Sequence, residues 1–301
     1  MSMEFLTTVA ALRAAAEPTR LRLLALLAHG ELTVGEICGI VGQSQPRISR
    51  HLKVLSDAGL LDRFREQHWV YYRAPASGAG REAVDSLVAL VDPGDEVLRR
   101  DRRKLELVVA ERGRQASASA ADWVDLPTEV DQILLNEMAS GPVGALLDVG
   151  TGSGHLLELL GANAKRAIGI DISSEALRLA RAKVHGAGLS HCELQRGDMY
   201  DLPFEAGQFD TAVVDRVLAR AERPVAALAE MARTLRPGAR LAVVEDFDLL
   251  FETGAANPIA TLRGWFVQAG LVCDRVHPVD TEQGHLLVAV ARRVSPVTVA
   301  A

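Results

Sequence analysis

The sequence predicts two domains of different class, an N-terminal α+β unit and a C-terminal α/β unit of doubly wound type. Three observations carry this. From Phe5 to about Ala58 apolar residues recur at helical spacing, and two short alternating runs follow, ending at Arg73. From Ala145 onward, apolar runs of strand length alternate with amphipathic helices. Between these patterns lies a charged helical stretch that fades into small residues at Gln115 to Ala121. A length of 301 residues and 49% hydrophobic content suit two packed domains. The boundaries fall at 1–78, 79–121 and 122–301.

The elements follow in order. Phe5 to Ala16 reads as a helix with Leu6, Val9, Ala10 and Leu12 inward. A second helix starts near Pro18, a residue tolerated in a first turn, and carries Leu21, Leu24, Leu27 and Ala28 at helical spacing. Gly30 closes it, and a short third helix runs from Val34 to Val41. Gly42 makes a turn, Ser44 is a good N-cap, and a fourth helix runs from Gln45 to about Ala58. Leu60 to Phe64 and Trp69 to Arg73 form a hairpin around Arg65-Glu66-Gln67-His68. Such helices closed by a hairpin make a winged helix-turn-helix.

The fourth helix carries the nucleic-acid argument. Ile48, Leu52 and Leu55 share one face and can only be core, which turns Arg47, Arg50, Lys53 and Val54 outward. Gln43, Ser44 and Gln45 lie at the tip that reaches base edges when such a helix enters the major groove. Ser49 and His51 lie on the same helix, and Arg63, Arg65 and His68 belong to the hairpin that would touch the backbone. The DNA-contact set is therefore Gln43, Ser44, Gln45, Arg47, Ser49, Arg50, His51, Lys53 and Arg65. The plainer reading of these residues is a solvated basic face.

Glu17-Pro-Thr-Arg-Leu-Arg-Leu-Leu and Ser44-Gln-Pro-Arg-Ile-Ser-Arg-His-Leu-Lys-Val-Leu-Ser-Asp-Ala-Gly-Leu resemble the ArsR/SmtB family of bacterial repressors, over roughly the first third of the chain. The resemblance implies a homodimer on a partly palindromic operator. It often implies a metal sensor, and here the sequence departs. Thr33 and Gly35 stand where metal-binding members have cysteines, and Cys38 alone cannot form a soft-metal site. No histidine occurs between His68 and His155 to build the alternative site. The expectation is no metal, with Cys38 a small core residue.

In the connector, Pro75 to Gly80 reads as a loop, and Arg81 to Val91 as a helix with Val84, Leu87, Val88 and Val91 on one stripe. Asp92-Pro93-Gly94 breaks it, with Asp92 available to cap a helix from Asp95 to about Ser117. Leu98, Leu105, Val108 and Val109 line one side of that helix, a narrow stripe suited to dimerisation, and Arg99 to Glu106 reads as a solvated face. Trp123, Leu126 and a helix from Glu129 to Ala139 lead into the second domain.

There, Ala145, Leu146, Leu147 and Val149 form a buried strand that runs into Gly150, Gly152 and Gly154 and then an amphipathic helix. Strand, glycine turn and helix let a backbone approach a nucleotide closely. The dinucleotide pattern would want its third glycine at His155, which argues against NAD. Ala167 to Ile170 is the next strand, ending in Asp171 about 20 residues beyond the first glycine, where ribose hydroxyls are held. Taken singly, Asp171 could equally be a helix N-cap.

Asp148 with the G-x-G-x-G turn resembles the first motif of the class I S-adenosylmethionine-dependent methyltransferases, Asp171-Ile172-Ser173 the second, and Gly197-Asp198-Met199 the third. The resemblance covers about Leu126 to Arg293, nearest the ubiquinone-biosynthesis C-methyltransferase group, and implies a Rossmann-like fold. It implies S-adenosylmethionine or S-adenosylhomocysteine held by Asp148, Gly150, Thr151, Gly152, Gly154, Asp171, Ile172, Asp198, Met199 and Asp215. Strands at Cys192 to Gln195, Phe209 to Val214 and Arg240 to Val244, and helices at Ala176 to Lys183 and Ala226 to Leu235, continue the pattern. Glu230, Arg233, Leu235, Pro237 and Gly238 match the family's E-x-x-R-x-L-x-P-G segment. Trp265 to Leu271 and Leu286 to Ala291 supply a last helix and an edge strand.

The acceptor side is depleted. Methyl transfer needs an acceptor held in line and often a base. Ala219 stands where the resemblance leads one to expect histidine, and Leu249 to Ala256 is short and lacks it. Asp215, Glu245 and Asp246 are the remaining base candidates, or else strand-end carboxylates facing water.

Bulk properties bound the rest. A net charge of −6 argues against a chain basic throughout, though not against one basic face. Cys38, Cys192 and Cys273 form no disulfide framework, which fits a reducing cytoplasm, and are too few for trivalent-metalloid methylation. No signal peptide or membrane span is readable, since Glu4 and Arg13 interrupt the start and Arg22 breaks Leu21 to Ala28. The expected function is a DNA-binding repressor whose second domain senses an adenosyl ligand. The alternative is a bifunctional regulator that also methylates a small molecule.

Overall fold

The structure, a computed structural model, describes residues 4–66, 69–75, 78–119, 124–252 and 257–294. The expectations for His68, Trp123, the boundary at 121/122 and the end of the Leu249–Ala256 stretch lie outside the described residues. The chain divides into two units, Met1–Ser119 with Arg181–His191, and Ala120–Ala180 with Cys192–Ala301.

In the first unit α1 (Phe5–Ala15), α2 (Pro18–Leu27), α3 (Val34–Val41) and α4 (Gln45–Asp57) precede a hairpin of β2 (Asp62–Glu66) and β3 (Trp69–Arg73). A short β1 (Leu32–Thr33), not foreseen as a strand, pairs antiparallel with β3, giving the order β1-β3-β2. Thr33 then starts α3 through a capping box. Its hydroxyl accepts from the Glu36 N–H at 3.3 Å, and its own N–H donates to Glu36 Oε2 at 2.8 Å. Gly42 ends the helix at φ 72, a left-handed conformation that glycine adopts without strain.

The inward face of α1 is a correction. Ala11, Ala14 and Ala15 are buried, while Leu6 is 78% exposed and Leu12 54%. Short alanine side chains let α1 approach its neighbours closely, and this close packing decides the face over bulk hydrophobicity. Asp101 is a second correction. It lies in the stretch read as solvated, yet it is 1% exposed, because Arg22 donates to both its carboxylate oxygens at 2.7 and 2.8 Å.

The connector forms α5 (Gly78–Ala89) and α6 (Glu96–Ser119). Asp95, rather than Asp92, caps α6, accepting from the N–H groups of Val97 and Leu98. Val84 and Leu105 are buried in the same core as α2, α3 and α4, with Leu87, Val88, Val108 and Val109 packed against it. Much of the stripe expected to await a partner is thus covered within its own unit.

The second unit starts with α7 (Thr128–Met138) and then alternates β4 (Gly144–Val149), α8 (His155–Gly161), β5 (Ala164–Asp171), the part of α9 (Ser174–Gly186) up to Ala180, β6 (Cys192–Arg196) and β7 (Phe209–Asp215). A 3-10 turn at Leu218–Arg220 leads to α10 (Pro224–Thr234) and β8 (Leu235–Asp246), followed by α11 (Phe247–Glu252), α12 (Pro258–Gln268), β9 (Leu271–Thr281) and β10 (Gly284–Arg293). The sheet order is β6-β5-β4-β7-β8-β10-β9. The first five strands are parallel, and β10 is antiparallel to both neighbours.

Leu147, Val149, Ile168, Ile170, Val214 and Val243 fill the core between sheet and helices. Fully burying each such side chain contributes about 1.5–3 kcal/mol. The strand at Leu286 to Ala291 is interior rather than an edge. The edge is β9, whose Asp274, Arg275, Pro278 and Asp280 hide any apolar alternation. Because β5 and β6 lie on one side of β4 and β7 on the other, the strand order reverses beside β4. A crevice opens there at the carboxyl ends of the strands.

Candidate functional site

In the first unit α4 presents two faces. Ile48, Leu52 and Leu55 are fully buried, so Arg47 and Arg50 are exposed, as are Ser44, Gln45 and Lys53. Among the described residues neither Arg47 nor Arg50 has an ion-pair partner, whereas Lys53 Nζ lies 2.7 Å from Asp57. Ser44 occupies the N-cap position, though its hydroxyl makes no capping hydrogen bond. Three residues of the expected contact set turn inward in part. Gln43 Nε2 donates to Thr19 Oγ1 at 3.2 Å, His51 Nδ1 lies 3.5 Å from Glu17, and Ser49 is half-buried. Arg63 and Arg65 are exposed on β2.

In the second unit the three sequence motifs converge on a cavity of about 570 Å³ at the crevice beside β4. It is lined by Asp148 of β4, Gly150, Thr151 and Gly152 from the glycine turn, Asp171 ending β5 and Ile172 after it, Asp198 and Met199 after β6, and Asp215 ending β7. Of the expected adenosyl-contact residues only Gly154 stands back from it, at the start of α8.

Each placement has a local cause. Gly150 holds φ +71, and a β-carbon there would lie 2.5 Å from Val217 Cγ2. Gly154 holds φ +84 with Ala180 Cα 2.9 Å from the same imagined atom. The turn is thus drawn tight by close packing that side chains would prevent. The N–H groups of Gly150 and Thr151 both donate to the Ile170 carbonyl, at 2.7 and 2.9 Å, joining the turn to β5. Asp171 then accepts from Gly152 N–H at 3.0 Å and Ser173 N–H at 2.8 Å. Ile172 is 65% exposed at the cavity rim, an apolar side chain in the position of a stacking surface.

Asp148 is 1% exposed and accepts from Thr151 Oγ1 at 2.6 Å. Burial pushes its carboxyl up to about 7. A tight glycine turn, a carboxylate beside it and an apolar rim fit an adenine nucleoside in chemistry.

The base candidates are all engaged by the chain itself. Asp215 accepts from Arg216 Nε and Nη2, both at 2.9 Å. Burial raises its carboxyl while Arg216 opposes the rise. Glu245 is fully buried and does not line the cavity. Its Oε1 accepts from Leu218 N–H, and burial pushes its carboxyl up to about 7. Asp246 lines the cavity but caps α11, accepting from Leu249 N–H at 2.9 Å.

Reading the sequence missed Val124, His155, Tyr200, Arg216 and Arg220, which also line the cavity. His155 Nε2 lies 2.8 Å from Asp131, and Ser153 Oγ donates to Asp125 at 3.1 Å, fastening the Val124–Leu126 segment to the glycine turn. No motif marks these residues. The one available signal was that Arg216 directly follows a strand-end carboxylate.

Comparison with known proteins agrees with both halves. A family model described as "Bacterial regulatory protein, arsR family" matches residues 17–63, and one described as "Methyltransferase domain" matches residues 147–243. The arsenical resistance operon repressor of Escherichia coli (strain K12) is 34% identical over 114 residues, 38% of this chain and 91% of that protein. An uncharacterized 37.1 kDa protein in transposon TN4556 of Streptomyces fradiae is 33% identical over 171 residues, covering 54% of this chain and only 49% of that protein. The solved structure of N-methyltransferase NodS from Bradyrhizobium japonicum WM9, in complex with S-adenosyl-L-homocysteine, is similar in fold. It has 22% identity and a TM-score of 0.51, covering 61% of this chain and 99% of that one. The chain therefore belongs to the arsR family of bacterial regulatory proteins and carries a Rossmann-like methyltransferase domain in its C-terminal region.

Proposed function

We propose that this protein is a DNA-binding repressor whose methyltransferase domain binds S-adenosylmethionine or S-adenosylhomocysteine as a regulatory ligand. S-adenosylmethionine carries a transferable methyl group on a sulfonium, and S-adenosylhomocysteine is the corresponding neutral thioether. Asp171 would hold the ribose hydroxyls, Asp198 the adenine amino group, and Ile172 the face of the base, with the glycine turn against the remainder.

One observation carries the sensing reading over catalysis. Each candidate base is constrained: Asp215 is paired through both oxygens with Arg216, Glu245 is buried away from the cavity, and one oxygen of Asp246 caps α11. A general base needs an accessible lone pair within reach of the acceptor proton, and this arrangement favours a domain that binds without transferring. The bifunctional reading draws on a different feature. The cavity continues past the glycine turn to Tyr200, Arg220 and Asp246, which leaves space beside the nucleoside for an acceptor.

Arg47 and Arg50 of α4 would contact the operator, as part of a homodimer in the cytoplasm. The exposed Phe5, Leu6 and Leu12 of α1 and Leu107 of α6 favour a second copy as partner. Sensing requires different ligand affinities in the DNA-competent and DNA-incompetent states, a coupling of about 1–3 kcal/mol in typical cases. The test is an operator gel shift with each adenosyl ligand in turn. The expected result is a change in operator affinity with at least one of them. Indifference to both removes the sensing reading, and methyl incorporation from labelled S-adenosylmethionine into a cell extract would favour the enzyme.

A further inference from the structure

Arg216 is the only non-glycine residue among those described with a positive φ, 51°. Glycine would hold that left-handed backbone without strain, so the strain is offset by what the side chain does. The guanidinium is fixed by three directed hydrogen bonds, Nε to Asp215 Oδ1 at 2.9 Å, Nη2 to Asp215 Oδ2 at 2.9 Å and Nη2 to the Val124 carbonyl at 2.6 Å. The same residue lines the cavity. Its backbone N–H bonds Val244 O at 2.8 Å, which ties its position to β8.

The surroundings give this cation its meaning. Five carboxylates line the cavity, Asp148, Asp171, Asp198, Asp215 and Asp246. The carboxylates assigned to the nucleoside end β5 or follow β6, on one side of β4, while Asp215 and Arg216 stand at the end of β7 on the other side. A nucleoside placed over β5 and β6 therefore directs the sulfur-bearing part of the ligand toward β4 and β7. The two adenosyl ligands differ there by one methyl group and one positive charge.

We propose that Arg216 is the specificity-determining residue that sets the balance between the cationic sulfonium ligand and the neutral thioether, by cancelling the preference for the sulfonium that Asp215 alone would give, an inference that rests on the reading of the cavity as an adenosyl site. A lone Asp215 carboxylate would attract a sulfonium. Paired in bidentate fashion with Arg216, it already has its counter-ion, and a second cation gains little. Without Arg216 the sulfonium takes the guanidinium's place. Without the Asp215 charge, Arg216 repels it.

The experiment is calorimetric titration of the full chain with S-adenosylmethionine and S-adenosylhomocysteine at neutral pH. The readout is the ratio of the two dissociation constants. Losing the Val124 hydrogen bond, or relieving the backbone strain, acts on both ligands alike and cancels in that ratio. Arg216→Gly is expected to move the ratio about tenfold toward the sulfonium, on the scale of one partly screened charge. Arg216→Lys should stay near wild type, and Asp215→Asn should move the ratio the opposite way. An unchanged ratio in Arg216→Gly, or in Asp215→Asn should the glycine variant not fold, overturns the proposal. Failure of the wild-type protein to bind either ligand overturns it together with the adenosyl reading. Binding of both with an unmoved ratio overturns the role of Arg216 alone.

Discussion

Glu245 reaches up from the end of β8 to accept a hydrogen bond from the backbone N–H of Leu218 at 2.5 Å, while its other carboxylate oxygen is buried without a partner. Burial raises this carboxyl from its ordinary 4.5 to about 7. The folded protein therefore holds the proton more tightly than the unfolded chain does. The stability this contributes is complete below pH 4.5, falls as pH rises, and is lost once pH passes about 7. Asp148, raised from 3.8 to about 7 by burial, acts in the same direction. Glu245→Gln should retain the bond to Leu218 and flatten the decline. Urea unfolding midpoints across this pH range provide the check, and curves parallel to wild type would show that Glu245 titrates normally.

Asp171 binds two backbone N–H groups, those of Gly152 and Ser173, and faces the cavity between them. Asp171→Ala should reduce adenosyl-ligand affinity by about a hundredfold or more, the loss expected for charged hydrogen bonds to two hydroxyls. Titration calorimetry measures this directly. Affinity within a fewfold of wild type would mean that the ribose lies elsewhere.

Arg50 is exposed on α4, opposite a fully buried apolar face. Arg50→Ala should weaken operator binding by about 1–3 kcal/mol if the guanidinium reads a base edge. Stability should change by less than about 0.5 kcal/mol, since the side chain is exposed. Fluorescence anisotropy with labelled operator, run beside thermal unfolding, separates the two effects. An unaltered operator affinity would move the reading contact to another residue.

The parts of this protein that were legible in advance are those whose chemistry is local. The glycines at 150, 152 and 154 mark a turn that few residue types can make, and Asp171 and Asp198 follow their strands directly. The α4 core face was equally readable, because helical period alone puts Ile48, Leu52 and Leu55 together. β9 is not legible in the sequence because an edge strand buries little, and its polar residues erase the alternation that marks a strand. The buried face of α1 is hidden in the sequence, since a run of alanines carries a weak hydrophobic signal but packs closely.

Sequence alone established both domain classes, most of their elements in order and the three carboxylate-bearing motifs, because secondary structure and tight turns depend on neighbours a few residues apart. Only the tertiary structure decided which charges are spent internally. Asp101 is buried by Arg22, 79 positions away, and Glu245 is turned from solvent toward a loop 27 positions back. Arg216 takes its left-handed backbone between β7 and the 3-10 turn and its partner at Val124, 92 positions earlier. Such pairings depend on which distant segments the fold brings within hydrogen-bond reach.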